Sequence, residues 1–513
     1  MSSADGSRHD EHEYGRAVQA LLRRRRVVAA SGLLLVLVAV GVCGVRGKAL
    51  AAWLRGEADL TGRPRFEPPH PTDPAALAEI DLGRVHADLL PGWVEAVAAA
   101  DSPASRAREA RAFEALLDEA GVDPNLAALL RELRARVTSS PVANWDRIAW
   151  LMWAWNDYLD RHALPWRIEG GVRPEGSRGV FYAKTYRAMD EVKVAVGGGA
   201  YRTRFVERTD WTNVVEAYLG ESSRDEGGAL VVVDRVRDFA VERVWPLLDP
   251  NDDPYRAPVD RAFAAAVRAE AEAALPEASL AVLRETAPAH WTVREAIAAI
   301  HMRHECGSDL VVEVVPWKGL PAEGRALLRR TAVRDARRGG ACPDVTPDEA
   351  RALSTASEEL ERARGLEAAL GGLVAWLARG VAVHETRHAA DERAAAASLW
   401  DGALGGGGPA CSGCDAALDG ATRGELSAYL ASFATVGTGY ASLFQACEME
   451  GTDGPHGLAL AAVEARLLPG GCAGAPPADL YAQAGVLDEA LFARAAPVSF
   501  PAGYPAVLDA FHE

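Results

Sequence analysis

Gly380–Glu392 reads GVAVHETRHAADE, and the five residues His384-Glu385-Thr386-Arg387-His388 within it organise the reading of the whole chain. In a helix, side chains four residues apart sit one above the other. His384 and His388 are therefore expected to aim both imidazoles at one point, where they would hold Zn²⁺. Glu385, beside the first histidine, is placed to take a proton from water. The flanking pattern predicts a helix: Leu366, Leu370, Leu373, Leu377 and Val381 recur at three- and four-residue steps, and the stripe runs on through His384, His388 and Asp391. Gly371, Gly372 and Gly380 each weaken a helix by about 1 kcal/mol relative to Ala, so one marks either the helix start or a close packing contact. The plain alternative is a pair of ordinary histidines on an Ala-rich helix.

The chain has 513 residues, 49% hydrophobic and 25% charged. That composition is ordinary for a folded protein and allows a large core in two or three domains. A formal net charge of -17 lacks the basic footprint that nucleic acid requires, so no nucleic-acid partner is expected.

Residues 1–26 are polar and end in four arginines, Arg23 to Arg26. The uncharged run from Val27 that follows is about 19 residues long, just enough to span a bilayer core. Positive charge on its N-terminal side places the N-terminus in the cytoplasm and exports the rest, to the periplasm or beyond, from a bacterial inner membrane. A signal peptide cut near Ala49-Leu50-Ala51 is the alternative, but the run exceeds the usual length of such segments. The pattern then divides the chain into a cytoplasmic tail (1–26), a transmembrane anchor (27–46), a Pro-rich linker (47–74), a helical region (75–165), an antiparallel sheet region (166–250), a mixed α/β region (251–350) and a helical zinc-binding catalytic region (351–513). The fold expected is α+β: one membrane helix, then a mostly helical ectodomain with a small antiparallel sheet.

Within the first helical region, Pro91-Gly92, Asp101-Ser102-Pro103 and Gly121 are expected breaks. Trp145, Trp150, Trp153 and Trp155 close it, as core more readily than as a ligand platform. In the sheet region, alternating Val192, Val194 and Val196, then Gly197–Gly199, then alternating Tyr201, Thr203 and Phe205 predict a hairpin. Strands are expected also at 179–189, at ALVVVDRV (229–236) and at LVVEVV (310–315). His301 and His304 are three apart but lack a partner set for a metal. The Arg-rich run 325–338 predicts a solvated face.

Seven cysteines are present. Cys43 lies in the apolar run, and the other six follow residue 300, an even set that suggests disulfides in an exported chain. Pairing of sequence neighbours gives Cys306 with Cys342, Cys411 with Cys414, and Cys447 with Cys472. Cys411-x-x-Cys414 can also be half a metal site or a redox pair. No second C-x-x-C exists, and export favours the disulfide.

Two histidines leave zinc short of a third protein ligand. Asp391 lies roughly 10 Å of helix rise beyond His384, too far for a metal bond near 2 Å, and is better placed to orient His388. Glu425, 37 positions after His388 on a helix expected to start near Thr422, is the geometrically easier donor. Over residues 384–428 the chain resembles the zinc metallopeptidases of the HExxH type, the zincins, and within them the gluzincin branch. There the third ligand is a Glu on a second helix, often as Glu-x-x-Ala-Asp. Glu425-Leu426-Ser427-Ala428 fits four of those positions, and Tyr429 stands where the Asp would be.

The resemblance implies a zincin-like helical catalytic region, with Zn²⁺ held by His384, His388 and Glu425 and a peptide bond hydrolysed by water that Glu385 deprotonates. Tyr429 and His456, the latter oriented by Asp453, are candidates to stabilise the oxyanion. An edge strand above the helix would pair with an extended peptide substrate, and either 310–315 or a strand of the 166–235 sheet would serve. Two other classes stay open: a catalytically silent envelope protein that binds partners, and a thiol-disulfide protein built on Cys411 and Cys414.

Overall fold

The computed structural model describes residues 66–175, 178–196, 199–210, 219–223, 228–248, 261–304, 360, 362–397, 408–492, 500 and 504–508. The chain divides into two units, Met1–Pro68 and Pro69–Glu513, and the architecture below belongs to the second. The tail, the expected anchor 27–46, much of the linker, Cys43, Cys306, Cys342, the strand 310–315 and the run 325–338 lie outside the described residues. So do the side chains of His301 and His304.

Proline and its neighbours punctuate the first helices. Pro74, Pro103 and Pro124 each open a helix, where a missing N–H costs nothing: α1 (Pro74–Glu79), α3 (Pro103–Ala120) and α4 (Pro124–Ser139). Asp73, Ser102 and Asp123 cap them through side-chain oxygens that accept from the first-turn amides. Pro91 does not break the chain as expected. It enters α2 (Leu90–Ala98) directly after a π turn, Val85–Leu89, whose wider hydrogen bonding accommodates a residue with no donor. In α5 (Trp145–Arg161), Trp155 is buried and donates to His86 Nε2 at 3.3 Å, a core role.

The five strands run in the order β1-β2-β3-β5-β4. β1 (Trp166–Glu175) and β3 (Gly199–Arg208) flank the long β2 (Arg178–Val196) in antiparallel register, and the expected hairpin closes at Val196↔Gly199. The expectation of an antiparallel sheet is corrected at one pair. β5 (Gly228–Val232) runs parallel to β3, because β4 (Gly220–Ser223) takes the edge and β5 inserts between them. Every residue of β5 is buried, the continuous apolar pattern of a strand covered on both faces. Its expected extension to 236 instead turns into α6 (Val233–Phe239).

Further helices, α7 (Arg261–Ala274) and α8 (Glu277–His304), lead toward the long α9 (Leu366–Ala397). Within it, Leu366–Ala394 is long and apolar enough to cross a membrane, yet 83% of its most apolar window is buried inside the protein. It is the central core helix. One side rests on β3, β4 and β5, and another meets α10 (Gly420–Phe433). Its glycines mark close contacts: a Cβ at Gly371 would lie 2.5 Å from the Leu508 carbonyl oxygen, and one at Gly380 2.5 Å from Ser442 Oγ. α11 (Gly439–Ala446), α12 (Pro455–Leu467) and α13 (Leu480–Phe492) complete the helical layer. Two expected disulfides are present, Cys411–Cys414 and Cys447–Cys472, each with its Cα atoms 5.7 Å apart.

Candidate metal centre

α9 and α10 bring three donor atoms together. His384 Nε2 and His388 Nε2 lie 3.2 Å apart, and each is 3.3 Å from Glu425 Oε2. Donors bound tetrahedrally to zinc at about 2.0–2.2 Å stand about 3.3–3.6 Å from one another. The near-equilateral triangle thus fits one face of such a shell. The three side chains keep 14–15% of their surface exposed, so the cage opens to solvent rather than closing in the core. The backbone of α10 comes close here: a Cβ at Gly424 would sit 3.7 Å from His388 Nδ1.

Charge in the cage follows burial and these contacts. Burial pushes the His384 imidazole down to about 4. Burial also opposes charge on His388 and on Glu425, and in both cases the contacts outweigh it. His388 is raised by Glu425, Glu385 and Glu392, and Glu425 is held far below the usual carboxylate range by its three histidine neighbours. Burial pushes the Glu385 carboxyl up to about 8. A cation beside it would favour its ionised form.

Glu385 lies under the edge strand. A Cβ at Gly220 of β4 would fall 2.6 Å from Glu385 Cγ and 2.8 Å from Val381 Cγ1, so only glycine lets the strand pass this close. Thr386 Oγ1 hydrogen-bonds Thr203 Oγ1 of β3 at 3.0 Å, which fixes the roll of the helix against the sheet. Among the described residues, β4 ends the sheet, and its Gly220 faces Glu385.

Tyr429 and His456 join the same cluster. The Tyr429 hydroxyl is 3.3 Å from His456 Nδ1, and that nitrogen is 2.9 Å from Glu425 Oε2. His384, Glu425 and His456 together form a set of donors compact enough for a metal ion. Asp391 is buried with its carboxylate 3.6 Å from Arg387 Nε, because Arg387 projects one turn before it on the same face. Asp453 is exposed, and His456 contacts Glu425 and Tyr429. A second grouping of donor types, Glu450, Glu464 and Cys472, contains no thiolate, since Cys472 is bonded to Cys447.

Sequence reading missed Arg387, Ser427, Asp488 and Gly220. The signal for Arg387 was available: a guanidinium inside an otherwise apolar, buried stretch demands buried partners. Nothing in the pattern tells which residues those are.

Comparison with known proteins gives no match, whether to family models, to curated proteins or to solved structures.

Proposed function

We propose that this protein is a zinc-dependent metallopeptidase that hydrolyses peptide bonds outside the cytoplasmic membrane, tethered there by residues 27–46. The observation that carries the reading is the triangle of His384, His388 and Glu425 donor atoms, 3.2–3.3 Å on each side, with a buried carboxylate next to it. Zn²⁺ bound there would polarise a carbonyl and bring the pKa of water to about 7. Glu385 takes the proton from the attacking water and returns it to the leaving amine. The Tyr429 hydroxyl, on the same face one turn beyond Glu425, and His456 beside it donate to the developing oxyanion. The outer edge of β4, the end of the sheet among the described residues, pairs with the backbone of an extended peptide and holds the scissile bond over Glu385.

A second reading has its own observation. His456 Nδ1 is close enough to Glu425 and His384 to act as a fourth donor, and four protein ligands make a closed, structural site. The chain would then be a silent envelope binding protein. Burial of Glu385 next to the cage favours the hydrolase, because a structural site has no use for a desolvated acid there.

Metal analysis and a general peptidase assay decide between them. The hydrolase binds about one zinc per chain, His388→Ala loses it, and Glu385→Gln keeps it while hydrolysis falls by two orders of magnitude or more. Unchanged hydrolysis by Glu385→Gln sinks the mechanism.

A further inference from the structure

Arg387 occupies the fourth position of the HETRH stretch and is fully buried. Its Nε donates to Ser427 Oγ at 2.9 Å and its Nη2 to Asp488 Oδ1 at 2.7 Å, while Asp391 lies 3.6 Å from Nε. Those partners sit on three helices. Ser427 is on α10, two residues after Glu425. Asp488 is on α13, and Asp391 is on α9 itself. α13 is anchored in turn, since Leu491 O accepts from Ser412 N, inside the Cys411–Cys414 loop, at 2.8 Å.

We infer that Arg387, Ser427 and Asp488 form a buried clamp that sets the approach of α10 to α9, making Arg387 a positioning residue for the metal cage. The inference rests on the zinc reading. A guanidinium is a rigid planar fork whose donors have fixed directions, so it specifies orientation as well as distance. Apolar side chains of similar volume would fill the same space and hold the core at least as well. They would not fix where along α9 the Ser427 turn sits. Glu425 rides on that turn, and a slide of α10 by a fraction of its rise per residue would open the triangle of donors.

The difference between filling and positioning can be measured. Zinc affinity of the full chain is determined by chelator competition, and stability of the metal-free chain by thermal unfolding. Arg387→Met combined with Asp488→Leu is expected to unfold near the wild-type temperature yet to bind zinc at least tenfold more weakly, the scale on which supporting contacts act on metal sites. Arg387→Lys keeps the charge without the fork and falls between the two. As a control, Glu109→Gln disturbs another buried carboxylate, one that accepts from Trp93 and Arg134 in the N-terminal helices, and should lower stability without changing affinity. Ser427→Ala removes only the bond to α10, and it weakens zinc binding in the same direction even where the double variant does not fold. Wild-type affinity in a folded double variant, or in Ser427→Ala, overturns the clamp. A wild-type chain that binds no zinc overturns the metal reading itself.

Discussion

At the scale of single residues, the site sets one side chain apart by its ambiguity. His456 is 2.9 Å from the carboxylate oxygen that both motif histidines also face, and 3.3 Å from the Tyr429 hydroxyl. As an oxyanion donor it acts only when charge develops, so its loss should leave ground-state metal binding alone. His456→Ala is expected to retain zinc and to lose about 10²-fold in kcat with little change in KM. Loss of the metal in that variant would make His456 a ligand and favour the closed, structural site. His384 and His388 were legible in the sequence because helical spacing alone makes them converge, and Glu385 because it adjoins the first of them. Glu425 was legible as the acid on the next expected helix, and likeness to a known ligand pattern pointed the same way. The partners of Arg387 were not, because they lie 40 and 101 residues away in the chain.

Among the elements, β4 is the one whose placement the sequence hid most completely. It has four residues, GESS, with no alternation and no apolar run, and it exists because β5 offers it a partner. The role proposed for it depends on Gly220. Adding a methyl there puts a carbon 2.6 Å from Glu385 Cγ and 2.9 Å from the Leu230 carbonyl oxygen, so the strand must lift from α9. Gly220→Ala is expected to cost about 1–3 kcal/mol of stability by overpacking and to lower kcat/KM by about tenfold or more, through misplacement of substrate and Glu385. Zinc content should stay at the wild-type level, and a variant with full peptidase activity would remove β4 from the substrate site. The π turn Val85–Leu89 carries a separate, structural consequence. His86 is fully buried there, with Nδ1 on the Leu82 carbonyl at 2.8 Å and Nε2 accepting from Trp155, a pattern that needs the neutral ring. Burial pulls its pKa from 6.5 to about 4. Between those values the unfolded chain binds more protons than the folded one, so stability rises with pH across that window and is lost as pH falls through it. The contribution is about 3 kcal/mol. Denaturant unfolding followed by tryptophan fluorescence at pH 4 and pH 7 should give a smaller pH difference for His86→Gln than for wild type. An equal difference would mean that the ring is charged in the fold.

For the molecule as a whole, the apolar stripe of α9 announced the core, and the helical regions on either side followed from proline, glycine and capping residues. Strand order did not follow, since β5 is apolar throughout and a uniformly buried strand pairs equally well in either direction. The disulfides were legible as an even cysteine set, and their pairing by proximity in sequence holds for both bridges among the described residues. Both bridges suit an oxidising compartment, which supports reading the chain beyond the apolar run as exported. They differ in what they restrain. Cys411–Cys414 closes a loop of four residues, whereas Cys447–Cys472 joins the end of α11 to the segment after α12, enclosing the helix that carries His456. By loop-closure entropy, the longer bridge contributes about 3–4 kcal/mol and the shorter about 2. Replacing Cys447 and Cys472 together by Ala should therefore lower the unfolding temperature more than replacing Cys411 and Cys414. The first change acts on the α12 side of the cage and should reduce kcat, as His456→Ala does. The second acts on the α13 side, through Ser412 and Leu491, and should show itself in zinc affinity, as disruption of the Arg387 clamp does. Thermal unfolding, chelator competition and the peptidase assay on the two double variants test this division. If both variants shift affinity and turnover in the same proportion, the two sides of the cage are not supported separately.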